Sequence, residues 1–189
     1  MEMTWLLLIL LAVLAVGAVT AVVVSQRQRA ALRGRYGPEY MRTVEQFKGD
    51  RRKAEAALLD REQRVKKFHI RPLSAEEHDN FAASWTEVQA RFVDNPMTAV
   101  TEADHLVTSL MQTRGYPMAD FETRAADLSV DHPRVVEHYR AARRIAGRNQ
   151  ENQADTEELR RAFVHYRVLF GELLETAAPD HRVGIAPQA

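Results

Sequence analysis

The twenty residues from Trp5 to Val24 contain no charged side chain, and this stretch constrains the chain more than any other. At about 1.5 Å of rise per residue, a helix of that length covers roughly 30 Å, the hydrocarbon thickness of a bilayer. Glu2 precedes the run, and Arg27, Arg29, Arg33 and Arg35 crowd behind it. Cationic residues next to a span stay on the cytoplasmic side. The flanks therefore predict an extracytoplasmic N-terminus at 1–4, a transmembrane helix at 5–24 and everything after it in the cytoplasm. The same architecture with the domain outside the cell is the alternative, and the arginine flank argues against it.

A secretory signal peptide would have a basic leader, a shorter apolar core and a small-residue cleavage site. Here Met-Glu-Met-Thr carries no cation, the core is too long, and the nearest approach to a cleavage site is Ala18-Val19-Thr20. The segment thus reads as an uncleaved signal anchor in the cell membrane. Cysteine is absent, which removes lipoprotein attachment, disulfides and thiolate metal sites. Gly17 and Ala21 make a small-xxx-small pair that would let two such helices approach, although small residues are common in spans generally.

Charge is distributed unevenly beyond the anchor. Residues 25–69 carry thirteen Lys and Arg against six Asp and Glu, a net of +7; residues 70–189 carry thirteen against nineteen, a net of −6. The basic segment sits where anionic headgroups attract cations, at roughly 1 kcal/mol each. Arg27, Arg29, Arg33 and Arg35 are accordingly the expected membrane-surface contacts. Nucleic acid is not expected as a partner, because the cations are interleaved with acids and aromatic residues are few.

The rest of the chain lacks period-two alternation and hairpin turns, so the expected fold class is all-α: one N-terminal transmembrane helix followed by a bundle of about five to seven helices. The expected organisation is a basic juxtamembrane segment at 25–69, a helical domain at 70–176 and a disordered tail at 177–189. Pro38 opens a helix after Gly37, and Asp50 caps another that ends near Phe68. Ser74 to Glu77 form a capping box ahead of Phe81, Trp85, Val88 and Phe92. Asn95-Pro96 starts a helix that stops at Gly115. A short helix near Ala119 to Leu128 follows, then one capped by Asp131 and running to about Arg148. Asn149 to Asp155 read as a loop, and Thr156 opens a last helix striped by Leu159, Phe163, Tyr166, Phe170 and Leu173.

Tyr40, Val44, Phe47, Arg51, Ala54, Leu58, Arg61, Val65 and Phe68 alternate spacings of four and three residues, a heptad seam weakened by its two arginines and by Gly49. One reading is a coiled-coil stalk of a homodimer. The other, favoured by the short repeat, folds the stripe back on the helical domain as two of its own helices.

No zinc-protease, nucleotide-binding or nucleophile-elbow motif occurs, and no enzyme activity or cofactor is expected. His138-Tyr139-Arg140 recurs as His165-Tyr166-Arg167, each in a long helix, which suggests an antiparallel hairpin. A ligand-binding or enzymatic bundle would use His138 and His165 as paired ligands or as an acid/base couple. Their place beside presumed core tyrosines and the lack of a third ligand favour boundary positions instead. Trp85, Tyr116 and Tyr139 would be protein-docking anchors if exposed, and core residues otherwise.

Arg124 to Arg140, Phe163 to Phe170, Arg35-Tyr36-Gly37-Pro38-Glu39-Tyr40 and Val88 to Val93 resemble a family of uncharacterised membrane-anchored helical proteins of actinobacteria. The resemblance spans most of the chain and implies that the juxtamembrane segment belongs to the folded unit. It implies no activity, cofactor or site residue. The expectation is therefore a scaffold or protein-interaction module at the inner face of the membrane, touching anionic lipid headgroups and a protein partner not identified by sequence.

Overall fold

The computed structural model describes residues 2–151 and 153–176, with side chains from Leu11 onward except at 12, 13, 18 and 21. The expected tail at 177–189 lies outside the described residues. Eight helices follow in order: α1 (Glu2–Tyr36), α2 (Pro38–Gln46), α3 (Arg51–Val65), α4 (Ala75–Asp94), α5 (Pro96–Thr113), α6 (Phe121–Asp131), α7 (Val136–Gln150) and α8 (Thr156–Glu175). There is no strand among the described residues, so the chain is all-α. It divides into two compact units, Met1–Leu58 and Leu59–Ala189.

In the first unit α1 runs for 35 residues, about 50 Å at the helical rise. Gly37, at φ 50°, breaks it from α2. A Schellman turn closes α2: Gly49 N–H donates to Val44 O and Lys48 N–H to Glu45 O, with Lys48 in the left-handed region at φ 52°. The turn sends α3 back, so that Tyr36, Tyr40, Val44, Ala54 and Leu58 are buried within one chain. Tyr36 Oη donates to Leu58 O at 3.3 Å, and Tyr40 Oη donates to Glu55 Oε1 at 2.9 Å. Tyr40, Val44, Ala54 and Leu58 of the heptad stripe are thereby covered. Arg51 and Phe47 fall on the exposed side, so the seam does not continue through the turn.

The second unit contains the main core, in which α4, α5, α7 and α8 contribute Trp85, Val100, Val107, Leu110, Tyr139, Phe163, Tyr166 and Leu169. Trp85 stacks on both Phe163 and Phe170, with centroids 5.1 and 4.7 Å away. The capping box at Ser74 and Glu77 and the Asn95 cap form as the sequence predicts. A second capping box joins Asp155 to Glu158 at the start of α8.

Three boundaries differ from expectation. Asp131 does not cap α7 but ends α6, because the residue before a proline resists the helical region and His132 precedes Pro133 at φ −126°. The short helix begins at Phe121, capped by Asp120 accepting from Thr123 N–H. The expected loop from Asn149 starts later, since α7 continues to Gln150 and buried Asn149 donates through Nδ2 to Met97 O at 2.9 Å.

Of the run Trp5–Val24, Leu11, Leu14, Val16, Val19, Val22, Val23 and Val24 are exposed large apolar residues, from 41% to 68% of their surface. Among the described residues no helix is long and apolar enough to cross a membrane. Most of the run's first half, and Ala21 of the small-residue pair, lie outside the described side chains.

Candidate functional site

The four arginines expected at the membrane surface lie along the C-terminal half of α1, and helical geometry splits them between two faces. Arg29 Nε lies 3.4 Å from Glu55 Oε1, and the Arg33 guanidinium sits 5.3 Å over the Tyr40 ring. These two point toward the folded part of their own unit. Arg27 and Arg35 are exposed on the other side. An intramolecular carboxylate therefore already lies beside Arg29.

His138 and His165 come together. Antiparallel packing of α7 and α8 sets their Nδ1 atoms 2.9 Å apart, with ring centroids at 5.1 Å and ring planes at 50°. At this distance one Nδ1 donates and the other accepts, so the two rings share one hydrogen. Both rings are half-buried, while Tyr139 and Tyr166 beside them are fully buried. Burial lowers the pKa of His165, and His138, Arg144 and Arg161 lower it further. No carboxylate counteracts them. His165 is thus held toward neutral imidazole. The repeated His-Tyr-Arg triplets were the signal, and only the helix register could show that the first residue of each faces the other.

A second polar cluster was not apparent from the sequence. Arg114, fully buried, donates through Nη1 to Leu173 O at 2.7 Å and through Nε to Arg71 O at 3.3 Å. Arg71 N–H in turn donates to Arg114 O at 2.9 Å. Nearby, buried His132 holds Glu172 at 3.2 Å through Nδ1. Tyr116 Oη and His132 Nε2 have no hydrogen-bond partner among the described residues. Burial raises the Tyr116 pKa and lowers that of His132. The guanidinium satisfies carbonyls at the end of α8 and in the connector before α4, which is the work of a helix C-cap. This cluster fastens chain ends. Its one sequence signal is a basic residue directly before the terminating Gly115.

Asp104 is likewise structural, accepting from Tyr166 Oη at 2.8 Å and from Arg143 at 2.9 Å. Its neighbour His105 is exposed. Trp85, Tyr116 and Tyr139 are all buried, so none is a docking anchor. Between α4 and α8 a groove of about 500 Å³ is lined by Phe92, Val93, Phe163 and Val164, with Arg160 and Arg167 at its edge. Val93 there is 83% exposed. Among the described residues no group of three or more His, Asp or Glu is placed to hold a metal ion.

No protein-family model, characterised protein or solved structure matches this chain.

Proposed function

We propose that the chain is a single-pass membrane protein whose helical domain lies on the cytoplasmic face and acts as a scaffold or protein-interaction module. The observation that carries this reading is the apolar run Trp5–Val24 in α1, with seven large Leu and Val side chains exposed. At about 1.5–3 kcal/mol for each fully transferred Leu or Val, a half-exposed set of that size leaves on the order of 10 kcal/mol of apolar exposure that a bilayer would relieve. Arg27 and Arg35, exposed immediately after the run, support headgroup contact and the inward orientation.

The groove between α4 and α8 supports the interaction role. Its apolar floor and its cationic edge at Arg167 suit a partner segment with apolar side chains flanked by carboxylates. The test is protease protection in intact spheroplasts with a tag after Ala189. The expected result is a tag that sediments with membranes after alkaline washing and survives external protease until the membrane is broken. Release into the soluble fraction would overturn the anchor, and digestion from outside would overturn the orientation.

A further inference from the structure

We propose that His138 and His165 form a two-imidazole site for a divalent transition cation of the Cu(II) or Zn(II) class, tying α7 to α8. The inference does not depend on the membrane reading. With the ring centroids held 5.1 Å apart, rotation of the two rings in place aims both Nδ1 atoms at one ion. At metal–imidazole bonds of about 2.0–2.1 Å this closes an N–metal–N angle of about 100°, which suits tetrahedral or tetragonal coordination. The proton balance is simple. The ring that donates through Nδ1 moves its hydrogen to Nε2, both rings stay neutral, and both Nδ1 lone pairs go to the ion.

One feature favours the site over an ordinary surface pair. The ligands sit on opposite helices of a packed hairpin, so little side-chain entropy remains to be lost. Arg144 and Arg161, which act on His165 electrostatically, oppose a bare dication. They favour one whose open positions carry an anionic co-ligand such as hydroxide or a carboxylate. Imidazole donors and the general affinity order place Cu(II) first.

The test is titration of the untagged full-length chain in detergent micelles with Cu(II) at neutral pH, read by calorimetry and by electron paramagnetic resonance. The expected result is one equivalent bound with nitrogen hyperfine structure, weakened about tenfold or more by His138→Ala or His165→Ala. Exposed His105 on α5 provides the control, and His105→Ala leaves this equivalent unchanged. Helical content by circular dichroism shows that each variant folds, with His138→Asn and His165→Asn as alternatives where an alanine variant does not. The proposal is overturned if folded wild-type chain binds no Cu(II), or if the histidine variants bind it as tightly.

Discussion

At Gly115 the backbone takes φ +94°, and a Cβ added there would lie 2.4 Å from the carbonyl oxygen of His69. A left-handed non-glycine residue costs about 1–2 kcal/mol, and a clash with backbone adds to it. Gly115→Ala is therefore expected to lower stability by about 2–4 kcal/mol, seen as a fall in the urea midpoint. Lys48 is the converse case, a side chain held at φ 52° where nothing requires one. Lys48→Gly is expected to be neutral or to stabilise by up to about 1 kcal/mol in the same experiment. His132 sets a pH dependence. Burial is the main cause that lowers its folded pKa, so the unfolded chain binds this proton first. The contribution is intact above the unfolded value of about 6.5 and is lost as pH falls from there through the lower folded value. His78, exposed and raised by Asp79 and Glu175, has the opposite sign, but solvent screens it. Thermal midpoints should thus fall on acidification below neutrality, and His132→Gln should flatten that slope; an unchanged slope would count against His132.

Helix ends were the most legible part of the sequence, because capping is a local exchange of hydrogen bonds. Ser74 with Glu77 and Asn95 with Pro96 form the caps their spacing announces. At α7 the local signal misled. Asp131 resembles an N-cap, but Pro133 forces His132 out of the helical region, and α7 starts after a turn with no side-chain cap. Ser74→Ala and Asp155→Ala should each cost about 1 kcal/mol in chemical unfolding. Arg114→Ala should cost more, about 2–4 kcal/mol, because it leaves the buried carbonyl of Leu173 without its donor and empties a fully buried site. Arg114→Lys should not restore the loss, since an ammonium lacks the fork that reaches both carbonyls.

For the whole molecule, the heptad spacing from Tyr40 to Phe68 was compatible with a dimeric stalk or with a folded-back stripe. Tyr40, Val44, Ala54 and Leu58 are buried within one chain. Leu58→Ala is expected to lower stability by about 2–5 kcal/mol without changing the mass measured by light scattering, whereas a loss of dimer would restore the stalk. The all-α class, the order of the helices, the apolar run in α1 and the position of most caps followed from sequence alone. They rest on periodicity, on hydrogen bonds between residues a few positions apart and on the conformational limits of glycine and proline. Tertiary structure alone decided which faces meet. It brought His138 to His165 across twenty-seven positions, turned Arg29 and Arg33 toward Glu55 and Tyr40, and buried Arg114 against the end of α8. Each depends on the rotation of one helix against another, which a helix's own sequence does not encode.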